Sequence, residues 1–350
     1  MKKNVFLSLI LLTALVAAKS SLAIGDREVW ISAGNPILAD LYHVFMVNAS
    51  DGWIVGDDGM IIRWNGTECN QVPSPTNADL RGVYMLNSTD GWAVGIGGVA
   101  IHWNGTGWTQ VSSGTTFDLF DIEATSQSYY AVGANGTIIM WNGTEWAPEI
   151  LSTNLTMRSI DLFWVLDLSE PPGYWNGLAV GDKGFILNYS QKAGWTEMES
   201  PTDTQLNDID GSWAVGSGWT IIQWEKGEWK NTSSSISGDG LLNTLDMATS
   251  DDGWAMGYNG TILHWNGASW EQMPSPTTNE IKSVFMIGAD DGWAVGVNGT
   301  ILHWNGAIWI PEYPTSILAL LFMTMVVLLS RVKLKRFFPT HLLEKRKHSR

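Results

Sequence analysis

A Gly-Trp-Ala-Val-Gly segment, or a close variant of it, returns seven times along this chain, and no other feature constrains the fold as strongly. The fullest copy runs from Asp291 through Gly292, Trp293, Ala294, Val295 and Gly296 to Asn298, Gly299, Thr300, Ile301, Leu302, His303 and Trp304. The closing glycines are Gly56, Gly95, Gly133, Gly181, Gly216, Gly257 and Gly296, spaced 39, 38, 48, 35, 41 and 39 residues apart. A unit of about 40 residues is too small to bury a core alone, so neighbouring units must stack, and a period of this length with short strands is that of a propeller blade.

Each unit divides into four strands, A to D. Strand A alternates, as in residues 281–286 (Ile-Lys-Ser-Val-Phe-Met). Strand B is Trp-Ala-Val-Gly, strand C is Thr-Ile-Leu-His-Trp, and strand D opens on a further Trp such as Trp270. Asn-Gly joins B to C at Asn135, Asn259 and Asn298, and joins C to D at Asn65, Asn104, Asn142, Asn266 and Asn305. Asn and Gly both accept positive φ, which predicts type I′ hairpins at each of these turns. The fold class is therefore all-β: a seven-bladed β-propeller of four-stranded antiparallel blades spanning residues 24–310.

Large rings recur at fixed places. Strand B carries Trp53, Trp92, Trp213, Trp254 and Trp293, with Tyr130 and Leu178 in the other copies. Strand C carries Trp64, Trp103, Trp141, Trp224, Trp265 and Trp304, with Tyr189 as the exception. A ring present in nearly every blade is read as packing between blades, each burying roughly 150–250 Å². Cys69, the only cysteine, stands where Trp108, Trp146 and Trp270 stand elsewhere, which excludes an internal disulfide and suggests a packed, inert thiol. Eight segments compete for seven strand-D places, and the expected closure has residues 29–31 as the outer strand of the last blade, leaving Trp309 to lead out of the ring.

The repeat Gly-Trp-Ala-Val-Gly-x-x-Gly-Thr-Ile-Leu-His resembles that of the photosystem II assembly and stability factor group, kin of the bacterial-neuraminidase-type repeats. The resemblance covers about 280 residues and implies the propeller fold. It implies little about function. Trp-Asn-Gly-Thr/Ala-x-Trp replaces the Thr-x-Asp-Gly-Gly-x-Thr-Trp that usually follows strand C in those families. The basic patch linked to photosystem binding also has no counterpart, since the body holds four arginines (Arg27, Arg63, Arg81 and Arg158).

The two ends read as separate from the ring. Residues 1–23 have Lys2-Lys3, an apolar run and Ser21-Leu22-Ala23, the pattern of a signal peptide. Residues 311–336 contain Pro311-Glu312-Tyr313-Pro314, an apolar run at 317–329 and a basic flank from Arg331 to Arg336. That arrangement resembles the Pro-Glu-Phe-Pro sorting signals of archaeal surface proteins, with Tyr in place of Phe. It implies anchoring, with cleavage by a sortase-like enzyme in that family. The run is short for a span, but Val332 and Leu334 lengthen it if Arg331 and Lys333 snorkel. The positive-inside rule puts the body outside and residues 337–350 in the cytoplasm as a basic tail.

Charge narrows the partners. The formal net charge of −15 conceals a body with nine basic residues against 34 acids, because most Lys and Arg lie at the two ends. Such a surface repels phosphate backbones, so nucleic acid is excluded as a partner. Chemistry is sparse: no nucleophile or phosphate-loop motif is present, and no catalytic residue, metal ligand set or cofactor is assigned. A sialidase would need several convergent arginines, and Arg63, Arg81 and Arg158 occupy non-equivalent positions. His102, His264 and His303 share one strand-C position, which reads as structural rather than metal-binding. Asp51, Asp90, Asp251, Asp252, Asp290 and Asp291 precede strand B, where capping the turn is a plainer role than holding Ca²⁺.

Two further sets of residues are candidates. Blade 4 lengthens its A–B connection at residues 167–176, with Phe163, Trp164, Tyr174 and Trp175 placed around Pro171-Pro172, and blade 5 shortens the same connection. Departures from a repeat carry function more often than the template, so these four aromatics form a candidate recognition surface, with filling of the gap over blade 5 as the alternative. Eleven Asn-x-Ser/Thr sequons, at Asn48, Asn65, Asn87, Asn104, Asn135, Asn142, Asn154, Asn188, Asn231, Asn259 and Asn298, are candidate glycosylation sites on an exported body. The expected function is a non-catalytic, membrane-anchored surface propeller that binds a surface protein or glycan or serves the envelope. The alternative is an extracellular glycan hydrolase or lyase, which would need two carboxylates roughly 5–10 Å apart in the axial pocket.

Overall fold

The computed structural model describes residues 30–31 and 38–311, except 127, 150, 152, 166–173, 192 and 234–239. The signal-peptide segment, the sorting-like segment beyond Pro311 and most of the blade-4 insert lie outside the described residues. Among the described residues, no helix is long and apolar enough to cross a membrane.

Seven sheets form seven blades. Blade 1 consists of strands A (Leu41–Asn48), B (Asp51–Gly56), C (Ile61–Trp64) and D (Glu68–Gln71), antiparallel in sequence order. The A strands of blades 2 to 7 are Leu80–Asn87, Leu119–Ala124, Met157–Val165, Leu206–Asp210, Leu242–Thr249 and Ile281–Gly288. Each A strand packs beside the A strands of its two neighbours, and these seven strands surround the axis. The glycine that closes each repeat is dictated by close approach. A Cβ on Gly296 would overlap the carbonyl oxygen of Glu280, at the entry to strand A, and Gly95 meets Asp79 in the same way.

The B–C turns have the expected geometry. Asn298 has φ 55° and ψ 37°, Gly299 has φ 67°, and the following N–H returns to the carbonyl of Val297. The C–D turns differ from expectation. There only the glycine takes positive φ, as at Gly66 (89°), while the Asn65 side-chain oxygen accepts the N–H groups of Thr67 and Glu68, both at 3.0 Å. Asn serves as an acceptor at the corner, so its own backbone stays on the ordinary side of φ.

Seven apolar clusters hold the ring, each shared by two adjacent blades. The strand-B ring of one blade inserts between the C and D strands of the next. Trp53 lies 4.8 Å from Trp103 and 5.3 Å from Trp108, and Trp254 lies 4.6 Å from Trp304 and 5.4 Å from Trp309. Cys69, fully buried, takes the strand-D place in the cluster around Trp64 and Trp293. The packing reading of the Trp rows therefore holds. Its gap falls between blades 4 and 5, where Leu178 replaces the ring and Trp224 is left 37% exposed.

Closure corrects the sequence expectation. Trp309–Pro311 forms strand D of blade 7, paired with strand C through Trp304↔Trp309. Trp30–Ile31 instead runs parallel to strand D of blade 1, outside the ring. A hairpin across the Asn305-Gly306 turn closes a far shorter loop than a strand recruited from the opposite end of the chain, and loop-closure entropy favours the local partner. The first and last blades then meet by side packing and by bonds such as Asn298 N–H to Asp40 Oδ1 (2.8 Å).

Candidate functional site

The four aromatics of the blade-4 connection are not gathered into one surface. The A and B strands of blade 4 extend as a hairpin, pairing Phe163↔Asn176, Trp164↔Trp175 and Val165↔Tyr174. Alternation then separates the side chains. Trp164 meets Trp175 edge-on at 5.4 Å and is 46% exposed, whereas Phe163 packs into the cluster between blades 4 and 5 with Leu178 and Trp229. Phe163 is half-buried against that seam. Trp164 and Trp175 remain on an accessible face.

The strand-C histidines stay within their own blades. His102, His264 and His303 pair with Asp90, Asp252 and Asp291 of strand B at 2.7, 2.6 and 2.8 Å. Each imidazole also lies on its cross-strand Trp, at 4.6, 4.3 and 4.5 Å. Arg63 makes the equivalent contacts in blade 1, with Asp51 at 2.9 Å and the Trp53 ring at 5.0 Å. These acids pair with a strand-C side chain of their own blade, and no group of metal-ligating residues occurs among the described residues.

The feature that sequence reading missed lies on the axis, where the seven A strands enclose a cavity of about 420 Å³. Its entrance is lined by the second residue of each strand, including Tyr42, Arg81, Arg158 and Lys282. The cations there are already answered by acids of the adjoining loops: Arg81 by Asp79 (3.1 Å), Arg158 by Asp182 (2.9 Å) and Lys282 by Glu280 (2.9 Å). Deeper in, the fifth residue of each strand divides the ring into two arcs. Blades 3 to 6 contribute Glu123, Asp161, Asp210 and Asp246, and blades 7, 1 and 2 contribute Phe285, Phe45 and Tyr84. Phe45 is the centre of the aromatic arc, 5.0 Å from Phe285 and 4.5 Å from Tyr84.

The carboxyls reach forward to the next blade. Asp161 accepts the Gly211 N–H at 2.8 Å, Asp210 that of Met247 at 2.6 Å, and Asp246 that of Met286 at 2.5 Å. One level up, Asp121 accepts from Ile160 (3.0 Å) and Asp208 from Leu245 (2.8 Å). Inner strands have a free edge, and these acids satisfy N–H groups that the ladder leaves open. Thr244 and Ser283 perform the same service for Val284 and Val44.

Crowding acids in an enclosed space raises their proton affinity. Burial, followed by mutual repulsion, pushes Asp161 and Asp208 up to about 7. Burial alone outweighs the hydrogen bonds to Asp121 and raises it to about 6. Glu123 lies well above the carboxylate range for the same reasons. Asp210 is also raised by burial, and Asp246 by burial and then by repulsion from Asp210, so the two carboxyls titrate together. Beside the arc, burial depresses His43 to about 4, so this imidazole is neutral at pH 7.

One sequence signal could have disclosed the arc: an acid at the fifth strand-A position in four consecutive blades, within a column that is otherwise aromatic. Within any single blade the signal is silent, because one acid on an alternating strand has the pattern of an ordinary solvent-facing residue.

No protein-family model matches the sequence, and no curated protein matches it. Among solved structures, YCF48 bound to a D1 peptide superposes with a TM-score of 0.62 at 17% identity, covering 81% of this chain and 99% of that one. YCF48 from Cyanidioschyzon merolae gives 0.61 at 15% identity, covering 77% and 97%. The WD40 β-propeller domain of Doa1 gives 0.59 at 12% identity, covering 77% and 94%. At these identities the likeness is one of fold. The chain is a seven-bladed β-propeller, similar in architecture to YCF48 and to a WD40 domain, as its repeat implies.

Proposed function

We propose that this protein is a non-catalytic propeller anchored at the outer face of a membrane, and that it holds a partner chain by a cationic side chain placed in the axial cavity. The observation that carries the reading is the divided ring, with Glu123, Asp161, Asp210 and Asp246 facing Phe285, Phe45 and Tyr84 across the axis. A lysine or arginine head gains from both walls, by charge attraction on one side and cation–π contact on the other. It also offsets the burial and mutual repulsion that raise the proton affinity of the carboxyls. YCF48, similar in fold, has been solved bound to a D1 peptide, which supports a peptide as the kind of partner. Anchoring rests on the leader at 1–23 and on the apolar run at 317–329 with its basic flank.

Calorimetric titration of the purified full chain with blocked lysine- and arginine-containing peptides tests the cavity. Saturable binding is expected, weakened about tenfold or more by Asp161→Asn with Asp246→Asn, which is the loss of about one charge-assisted contact. No saturable binding at millimolar peptide sinks the reading. Protease added to intact cells tests the placement: degradation of the body is expected, and full protection puts it on the wrong side.

A further inference from the structure

The sequons are unequal in the folded protein. In five of them both the asparagine and the hydroxyl residue two positions on are exposed: Asn48 with Ser50, Asn65 with Thr67, Asn87 with Thr89, Asn104 with Thr106, and Asn142 with Thr144. All five lie in A–B or C–D turns of blades 1 to 3. The two kinds of turn share one face, since Gly66 of the C–D turn lies against Ser50 of the A–B turn and Gly105 lies against Thr89. In each, the asparagine Oδ1 accepts the hydroxyl at 2.7–2.8 Å, and none of the five Nδ2 groups donates to a described residue.

Elsewhere the hydroxyl is withdrawn. Thr300, after Asn298, is buried and donates to the Val297 carbonyl at 2.8 Å. Thr137 and Thr261, after Asn135 and Asn259, are half-buried on the opposite face, as is Thr156 after Asn154. Ser233, after Asn231, is engaged with Ile221, and Asn188 lies half-buried within strand C of blade 4.

Turn formation does not account for the three in C–D turns. Blades 6 and 7 build the same C–D turn from Asn266-Gly267-Ala268 and Asn305-Gly306-Ala307, in which Oδ1 accepts the two following N–H groups at 3.0–3.1 Å. Asparagine and glycine suffice for that corner. The C–D hydroxyls of blades 1 to 3, Thr67, Thr106 and Thr144, are therefore separable from the fold.

We infer that N-linked saccharide is confined to one arc of one face, on Asn48, Asn65, Asn87, Asn104 and Asn142, and that the turns of blades 4 to 7 on that face stay bare. The co-reactant is an oligosaccharide carried on a lipid phosphate or pyrophosphate. The asparagine Nδ2 forms a bond to the anomeric carbon, the bond from that carbon to the phosphate oxygen breaks, the lipid phosphate leaves with the electron pair, and the amide proton is released to base. In the cell this depends on the surface placement proposed above; the selectivity itself does not.

The test uses full chain made without glycosylation, folded, and incubated with a membrane oligosaccharyltransferase and its lipid-linked donor. Peptide mass spectrometry then reads each site. Occupancy is expected at the five and below about a tenth of that level at Asn135, Asn188 and Asn298, a ratio corresponding to 1.4 kcal/mol of access, while synthetic peptides spanning all the sequons should be modified alike. Ala268→Thr should create a new occupied site in blade 6, and Thr67→Ala should abolish occupancy at Asn65 without moving the thermal midpoint. Equal modification of both faces of the folded chain, or an unmodified Asn65 beside modified peptide, overturns the inference. Because the reaction is run outside the cell, a failure of export would appear in the protease experiment and not here.

Discussion

Val44 donates its backbone N–H to the hydroxyl of Ser283 at 3.2 Å, across 239 residues of chain and across the seam where the ring closes. The bond is one of a series in which an inner-strand side chain satisfies the free edge of the following blade. Because each blade is built from consecutive strands, no shared sheet locks this seam. Ser283→Ala should therefore lower stability by about 1–3 kcal/mol, the cost of leaving a buried N–H unsatisfied, measured by denaturant unfolding. No change would mean that water replaces the hydroxyl.

Two tryptophans at repeat positions should respond very differently. Trp254 is 1% exposed and enclosed by Trp304 and Trp309, so Trp254→Ala should cost about 3–5 kcal/mol. Trp224 meets Trp229 at 5.6 Å but no strand-B ring from blade 4, where Leu178 stands, and it is 37% exposed, so Trp224→Ala should cost clearly less, about 1 kcal/mol. Equal losses would show that the gap between blades 4 and 5 does not weaken packing.

Phe163 and Trp164 give a similar contrast within one hairpin. Phe163 is half-buried against the core between blades 4 and 5, so Phe163→Ala should lower the thermal midpoint by a few degrees, at about 1–3 kcal/mol. Trp164→Ala should leave it within about 1 kcal/mol of the parent. A reversed order would put Trp164 in the core and remove the exposed face.

Acidity should stabilise the ring. Asp161 and Asp208 titrate near 7 and Asp121 near 6 when folded, against about 3.9 unfolded. Between those limits the folded state binds more protons, so stability is greatest at the acidic end and falls as pH rises towards 7. His43 opposes this, since its folded value of about 4 lies below the unfolded 6.5 and favours the fold at higher pH. One imidazole against at least three carboxyls leaves a net fall in thermal midpoint from pH 5 to pH 8. Asp161→Asn should flatten that slope, and a midpoint that rises over the range contradicts the burial of the acids.

His102→Gln should be tolerated, with a loss of no more than about 1 kcal/mol, because its pair with Asp90 is part-exposed and Gln223 already occupies the equivalent place in blade 5. A loss of several kcal/mol would mean that the stack on Trp92 carries more than the ion pair.

The sequence by itself determined the blade count, the strand order, the B–C turns and the buried Trp rows. These follow from local chemistry repeated at a fixed spacing: Asn-Gly reverses the chain, a closing glycine lets strand B pass a carbonyl, and a ring at one sheet position must meet the neighbouring blade. Tertiary structure decided what depends on which distant strands converge. Trp309 rather than Trp30 completes the last blade because the nearer hairpin costs less entropy to close. Phe163 and Trp164, adjacent in sequence, part company because strand pleating sends one into the seam and the other to the surface. Glu123, Asp161, Asp210 and Asp246 lie tens of residues apart and pass for ordinary surface acids on an alternating strand. Closure of the ring brings them onto one axis, where burial and shared charge give them a chemistry that none has alone.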